Sequence, residues 1–321
     1  MGNKKKFINT LLIILAFTTI VVIGSVFLIE LRDKERKNKQ KENNINNDIG
    51  EKETYTPPLY KVCDDDSCVY VLGTMHTGDS KIKNLSNKVI DVYKSIDKLV
   101  VELDITKESI DQYKYLIEDN KTIEDITDTE FINKLKEFNT NHPAFMYNTL
   151  KYFKLGYIDT YLTSFMYLDA GLTTDGVDAY LLNLAHKDNK PIISLETMEE
   201  QEKLLFDYSD EFYIKQIESI LDNYELGKSS VKLLYEAYIG ENIELLKKSL
   251  SSELSNEDNS DEYNKYIDDV YTKRNNKMTI EVKEFLKNND NVLVAVGAAH
   301  VISDDGIIDQ LDNDYKVERI K

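Results

Sequence analysis

Two stretches near opposite ends of the chain share one pattern, an apolar run that ends in Gly-x-x-His, and they span residues 69–76 and 292–300. A continuous run of β-branched and aliphatic residues bounded by glycine is typical of a strand buried on both faces. Ligands collect at the carboxyl edge of such strands, so His76 and His300 are predicted to meet there. Two unrelated loop histidines are the alternative, which the repetition disfavours in a chain with only four histidines.

Two glutamates follow strand-like runs and complete this candidate set. Glu102 lies in the otherwise apolar run 98–104, where burying an unpaired carboxylate would be costly; a sheet-edge position facing water is the alternative. Glu196 stands near the end of the short run 191–197. Two neutral imidazoles and a carboxylate form a site for a divalent transition ion, which makes hydroxide available near neutral pH. The glutamate that is not a ligand is then a candidate general base.

Three further polar residues join the candidates. Arg274 falls on the apolar stripe of a helix, four residues after Val270 and four before Met278. An inward arginine needs an anionic partner, whereas a snorkelling side chain is the alternative reading. Arg274, with Asn275 beside it, is therefore predicted to pair a site carboxylate, to hold substrate or to stabilise an oxyanion. Asp178, in the first turn of another helix, is explained either by the helix dipole or by a role in the site.

The elements that must position these residues alternate along the chain. The runs that indicate strands are residues 59–62, 69–72, 98–104, 191–197 and 292–296, and helical stretches include residues 85–96, 179–187 and 201–250. Asp104 is expected to cap a helix that begins near Thr106. Together the runs predict an α/β fold in which helices cover a parallel or mixed sheet.

The chain divides into four parts. Residues 1–6 form a short basic tail, and residues 7–29 carry no charge. As a helix these 23 residues would reach about 35 Å, enough to span a bilayer. A cleaved signal peptide is the alternative, but the long run without a clean cleavage site favours a retained anchor. Residues 30–56 are predicted to be a flexible charged linker, and residues 57–321 the folded body.

The two cysteines bear on location. Cys63 and Cys68 flank a polar turn between two strand-like runs, where a hairpin would place them at bridging distance. A pair of reduced cytoplasmic thiols is the alternative, and a metal site lacks a second pair. A disulfide implies an oxidising compartment. We therefore predict a single-pass protein of the cell membrane whose body lies outside the cytoplasm.

Composition and missing motifs exclude other classes of function. The net charge of the whole chain is -18. Because residues 1–41 are basic, the net charge of the remaining body is more negative than this. Such a body repels phosphate backbones, which argues against nucleic-acid binding. Gly-x-Ser-x-Gly, phosphate-loop and His-Glu-x-x-His motifs do not occur in the sequence.

The order of the motifs resembles that of the TraB/GumN family, which includes the Tiki proteases and proteins implicated in shutting down peptide pheromone signals. The matching motifs, spread over roughly residues 59–320, are Gly73-Thr74-Met75-His76, Val101-Glu102-Leu103-Asp104, Gly176-Val177-Asp178, Leu195-Glu196-Thr197, Arg274-Asn275 and Gly297-Ala298-Ala299-His300.

The resemblance implies a central mixed β-sheet wrapped by helices, akin to erythromycin esterase and the ChaN haem-binding proteins, preceded here by the transmembrane helix. It implies hydrolysis of a peptide or protein substrate with a divalent metal ion, such as Mn, Co or Zn. It carries over His76 and His300 as the Gly-x-x-His histidines and Glu102 as the essential acidic residue. Gly73 and Gly297, like Asp178, are predicted to be substrate-binding or structural residues. A non-catalytic peptide- or haem-binding protein and a small-ester hydrolase are the alternatives.

The resemblance also gives four residues family positions with less settled roles, namely Asp178, Glu196, Arg274 and Asn275. The chain departs from the family at His142-Pro143, where an aromatic residue often follows the proline.

Overall fold

Six strands form one mixed sheet in the computed structural model. They are β1 (Leu59–Cys63), β2 (Cys68–Thr74), β3 (Lys98–Val101), β4 (Ile192–Ser194), β5 (Val292–Gly297) and β6 (Lys316–Ile320). The order across the sheet is β4-β3-β5-β2-β1-β6. The first four of these run parallel, β1 is antiparallel to β2, and β6 is antiparallel to β1. The predicted α/β fold with a central mixed sheet is confirmed.

Helices account for most of the remaining described chain. They are α1 (Asn87–Ser95), α2 (Thr129–Asn141), α3 (Tyr147–Leu150), α4 (Leu155–Asp169), α5 (Val177–Asp188), α6 (Met198–Phe206), α7 (Asp210–Asp222), α8 (Tyr224–Ile239), α9 (Ile243–Leu254), α10 (Asp261–Ile267), α11 (Lys273–Lys287), α12 (Ala298–Ile302) and α13 (Ile307–Leu311). A π-helical segment, Asp268–Thr272, joins α10 to α11.

The structure describes four ranges of the chain, residues 54–107, 112–118, 121–254 and 260–321. The predicted tail 1–6, the predicted anchor 7–29 and nearly all of the predicted linker lie outside them. Within the described ranges, no helix has the length and apolar character needed to cross a membrane.

The two Gly-x-x-His strands lie side by side. Every residue of β5 is buried, as expected for an apolar strand covered on both faces. Each buried valine or leucine side chain contributes about 1.5–3 kcal/mol relative to an exposed one. In the register of the sheet, Thr74 of β2 lies opposite Gly297, and Val101 of β3 lies opposite Ala295. The carboxyl ends of β2, β5 and β3 therefore meet at one edge.

Two strands are shorter than the sequence predicts. β3 ends before Glu102 and β4 ends before Glu196, so neither glutamate lies in a strand. Beyond Val101 the contact of this segment with β5 is made by a side chain, because the Glu102 carboxylate accepts the Gly297 N–H at 2.6 Å. The two segments remain joined by a hydrogen bond from the Glu196 N–H to the Glu102 carbonyl at 2.9 Å. Both carboxylates consequently start from the edge of the sheet.

The hairpin between β1 and β2 carries the disulfide. Cys63 lies opposite Cys68 in the antiparallel register, and the two sulfurs are bonded. Asp64 closes the turn by accepting hydrogen bonds from the N–H groups of Asp66 and Ser67 at 2.9 and 2.7 Å. The predicted disulfide is confirmed, and the compartment inferred from it stays a prediction.

Local signals set the start of α6 but not a helix after β3. Thr197 and Glu200 form the predicted capping box of α6. The backbone N–H of Thr106 donates to Oδ1 of Asp104 at 3.2 Å, but residues 105–107 form a turn. Residues 108–111 lie outside the described chain, so the expected helix stays a prediction beyond that turn.

Candidate functional site

His76 is held against the start of α5 by three successive residues. Its Nδ1 lies 2.6 Å from Oδ2 of Asp178. The Val177 N–H donates to the Met75 carbonyl at 2.9 Å. A Cβ on Gly176 would lie 2.4 Å from the Cα of His76, so only glycine allows this approach. The Gly-Val-Asp segment therefore fixes both the backbone and the ring of the histidine.

The second ring nitrogen of His76, Nε2, is available to bind a ligand. Among the residues that the structure describes, Nε2 of His76 is buried and has no hydrogen-bond partner. Burial lowers the pKa of the His76 imidazole, but the Asp178 carboxylate outweighs this effect and the net pKa is raised above its ordinary value. The same carboxylate fixes the proton of the neutral ring on Nδ1, which leaves a lone pair on Nε2.

His300 is oriented in the same way from the other side. Its Nδ1 lies 2.7 Å from Oδ1 of Asn275 on α11. The Asn275 amide donates to the Asp305 carbonyl at 3.0 Å, which turns its oxygen towards the histidine. Burial, followed by the Arg274 charge, holds the pKa of His300 well below its ordinary value. His300 is consequently a neutral imidazole with its proton on Nδ1.

Glu102 is anchored through both oxygens. Oε1 accepts the Gly297 N–H at 2.6 Å, and Oε2 lies 2.6 Å from Nη2 of Arg274. Burial raises the pKa of Glu102, but the Arg274 charge and then His76 outweigh it, and the net pKa is lowered. The carboxylate is therefore ionised. Each oxygen accepts one of these hydrogen bonds and keeps a further lone pair.

Arg274 binds a second carboxylate. Its Nε lies 2.6 Å from Oε1 of Glu196, and its Nη2 lies 2.9 Å from Oε2. This two-bond geometry is the strong form of an arginine–carboxylate pair. Arg274 is only 5% exposed, which excludes the snorkelling alternative. Although burial disfavours the charge, Glu196 and then Glu102 raise the pKa of the guanidinium above its ordinary value.

Gly73 has a packing role close to the site. A Cβ on it would lie 2.9 Å from the Cα of Ala298, so β2 and α12 approach closely only because this residue is glycine. The hydroxyl of Tyr238 donates to the Gly73 carbonyl at 2.8 Å. Gly73 and Gly297 thus act through the backbone, the first by close packing and the second by holding Glu102.

A small cavity of about 20 Å³ adjoins these groups. His76, Glu102 and Asp178 supply its polar lining, and apolar side chains supply the rest. This volume is close to what one water molecule needs. His76 follows β2 and His300 follows β5, and these two strands pair in parallel as far as Thr74 and Gly297. Distant parts of the chain are thus brought to one polar site.

The imidazole nitrogens and the carboxylate of the site are atom types that bind metal ions. Both histidines are held through Nδ1 by an oxygen acceptor, the arrangement that orients histidine ligands in metal sites, and the buried Nε2 of His76 lacks a partner among the described side chains. However, no group of three His, Cys, Asp or Glu residues within the described ranges is arranged around an ion position. The ligand roles of His76, His300 and Glu102 stay predictions.

Sequence reasoning missed two residues of the site. Gln201 is buried, and its amide donates to Oε2 of Glu196 at 3.2 Å. Gly176 packs on the backbone of His76. The Gly-Val-Asp motif was a signal for the glycine, whereas no pattern distinguishes Gln201 from other polar residues of α6.

The fold and site together define a mixed α/β protein whose paired Gly-x-x-His motifs lie at the carboxyl edge of parallel strands, next to an arginine that joins two glutamates. The chain belongs to the TraB/PrgY/gumN family, whose family model matches residues 58–319. This match contains all of the site residues described above, and the predicted resemblance is confirmed. Comparisons with curated proteins and with solved structures gave no significant match.

Proposed function

We propose that this protein is a metal-dependent peptidase that hydrolyses a peptide or protein ligand, such as a signalling peptide. The observation that carries the proposal is the placement of His76, His300 and Glu102 at the ends of three adjacent strands. Family membership is consistent with this function.

His76 and His300 would hold the ion through Nε2, and Glu102 would add an oxygen ligand or act as base. A bound divalent ion such as Mn, Co or Zn lowers the pKa of a coordinated water towards neutrality. Asp178 and Asn275 keep the two imidazoles in the tautomer that a ligand requires.

The remaining side chains prepare the site for a substrate. Arg274 keeps Glu102 ionised at neutral pH, so the carboxylate is able to accept a proton from water. Glu196 binds the same guanidinium and is itself held by a hydrogen bond from the Gln201 amide. In this arrangement Glu102 is the better candidate for the general base, because Glu196 is more fully engaged. Arg274 acts mainly as a positioning residue.

The location of the enzyme is part of the proposal. Residues 7–29 would anchor it in the cell membrane as a single span, with the folded body outside the cytoplasm. The disulfide between Cys63 and Cys68 supports an oxidising environment for that body.

The test is cleavage of a peptide library by the full chain, with products identified by mass spectrometry. Treatment with a chelator should abolish cleavage, and Mn²⁺, Co²⁺ or Zn²⁺ should restore it. His76→Ala and His300→Ala should each reduce turnover at least about 100-fold, the size expected when a principal catalytic group is removed. His186→Ala is the matched control, because that ring is 41% exposed and outside the site. Full metal-stimulated cleavage by both site variants would reject the proposal.

A small-ester hydrolase is the second candidate. The observation that favours it is the 2.6 Å pairing of His76 with Asp178, because an imidazole oriented by a carboxylate is able to take a proton from water without an ion. Chelator-resistant hydrolysis of an ester panel, with peptides left intact, would identify this function. Stoichiometric peptide or haem binding without any product would instead identify a sequestering protein.

A further inference from the structure

A cleft of about 360 Å³ lies between α6 and the helix formed by α10, the π-helical segment and α11. This volume is within the range of small-ligand sites. Five basic residues line it, namely Lys203, Lys265, Lys273, Arg274 and Lys277. The other lining residues are four acidic side chains and one leucine.

The charge of this cleft differs from that of the protein. The chain has 58 acidic and 40 basic residues, whereas the cleft is lined by five basic and four acidic ones. Basic side chains are thus more frequent in the cleft than over the whole chain, and a concavity focuses their field between low-dielectric walls. The rest of the acidic body repels anions, so an anionic ligand is expected to dock at the cleft.

The cleft adjoins the candidate site through Arg274. Arg274 and Glu196 line it, and Glu102 lines the small cavity beside His76. Nη2 of Arg274 lies within hydrogen-bond distance of both glutamates. A ligand in the cleft therefore lies one ion pair away from the groups proposed to carry out hydrolysis.

The basic residues of the cleft are all paired with carboxylates, and a ligand reaches the lysines at the rim by replacing their partners. Lys203 pairs with Glu199 at 2.8 Å and Lys277 pairs with Glu200 at 2.7 Å. The two lysine side chains are 63% and 41% exposed. Exposed ion pairs of this kind contribute little to stability, so the carboxylate of a ligand is able to replace the neighbouring glutamate at small cost.

The backbone at the cleft wall is also unusual. The segment Asp268–Thr272 is π-helical, and Lys273 and Arg274 follow it directly. Single π-helical turns inside α-helices occur frequently at functional sites. Here the turn directly precedes two basic residues of α11 that line the cleft.

We propose that the cleft binds an acidic group of the peptide substrate, either an aspartate or glutamate side chain or the terminal carboxylate. This inference deepens the proposed peptidase function and rests on it for the identity of the ligand as substrate. The carboxylate pairs with the rim lysines, and the neighbouring part of the peptide lies beside Arg274 and Glu196.

Binding of three rhodamine-labelled probes to the full chain in detergent micelles tests the proposal by fluorescence anisotropy. The probes are tetraglutamate amide, tetraglutamine with a free carboxylate, and tetraglutamine amide. We expect one of the first two to bind at least about fivefold more tightly than the third, with the preference lost at high salt. The stronger of the two shows whether a side chain or the terminus is recognised. Equal binding of all three would overturn the proposal.

Matched variants locate the binding. Lys203→Ala combined with Lys277→Ala should weaken binding of the preferred probe about fivefold or more. Lys94→Ala combined with Lys187→Ala removes the same charge from exposed positions that do not line the cleft, and should leave the affinity unchanged. Equal effects of the two double variants would contradict a binding site in the cleft.

The cleft and the peptidase are tested separately. His76→Ala combined with His300→Ala should keep the probe affinity, because neither histidine lines the cleft. Binding without cleavage of any peptide would support the cleft and reject the peptidase. If neutral peptides are cleaved as fast as acidic ones and binding shows no preference, the peptidase is supported and the cleft is rejected as an acidic-group site.

Discussion

Nη2 of Arg274 lies 2.6 Å from Oε2 of Glu102, an ion pair that joins α11 to the end of β3 at the centre of the site. Glu196 binds the same guanidinium, and all three side chains are at most 6% exposed. The arginine is thus the common partner of two buried carboxylates. Such groups are strongly destabilising when their partner is removed.

Arg274→Met should lower the free energy of unfolding by about 3–5 kcal/mol, because it leaves two buried carboxylates without their cation. Urea unfolding followed by circular dichroism measures the loss. Lys277→Met, three residues further along α11, breaks only an exposed pair with Glu200 and should cost less than about 1 kcal/mol.

A second substitution distinguishes charge from packing. Adding Glu102→Gln and Glu196→Gln to Arg274→Met should recover part of the lost stability, because the buried negative charges are then removed. If the triple variant recovers no stability, Arg274 contributes by packing alone.

Asp178→Asn should lower the pKa of His76, because burial then acts without the opposing carboxylate charge. Titration of the ring by NMR measures this pKa directly and needs no substrate. Asp175→Asn is the control, since that carboxylate lies three residues earlier and pairs with Lys83 at the surface. An unchanged His76 pKa in the first variant would contradict the pairing.

Gly176→Ala should displace His76, since its Cβ would lie 2.3 Å from the Met75 carbonyl oxygen and 2.4 Å from the Cα of His76. Overpacking of this kind costs about 1–3 kcal/mol. Gly171→Ala provides a contrast, because Gly171 has φ +90° and open space around it. That variant should lose about 1–2 kcal/mol through backbone strain alone. Only the first should move the NMR signals of His76.

Burial raises the pKa of Asp159 to about 8. The free energy of unfolding should therefore fall as pH rises from about 4 to about 8. In this window the folded protein keeps the proton that the unfolded chain releases, so deprotonation favours unfolding. Asp159→Asn should remove the slope and should be more stable than the natural protein at pH 8 by on the order of a few kcal/mol. Parallel pH profiles for the two proteins would contradict this assignment.

The strands and the glycine-bounded histidines were predictable because they depend on local patterns. The apolar runs of β2 and β5 indicate burial on both faces, and parallel strands bring their carboxyl ends together. The inward direction of Arg274 followed from its place on the apolar stripe of α11. These inferences need only periodicity and composition.

The pairings within the site were not predictable in the same way. Arg274 and Glu102 are 172 residues apart, and Arg274 and Glu196 are 78 apart. Which carboxylate meets which cation depends on the register of β3 against β5 and on the path of α11. Gln201 was missed for the same reason, since its burial follows from packing and not from its own sequence context.

Metal binding by the full chain tests the central claim most directly. Titration with Co²⁺, followed by its visible absorption and by metal analysis after dialysis, should give about one ion per chain. His76→Ala and His300→Ala should each abolish tight binding, whereas His186→Ala should leave it unchanged. A natural protein that binds no divalent ion, or site variants that bind as it does, would contradict the claim that the paired Gly-x-x-His motifs form one metal site.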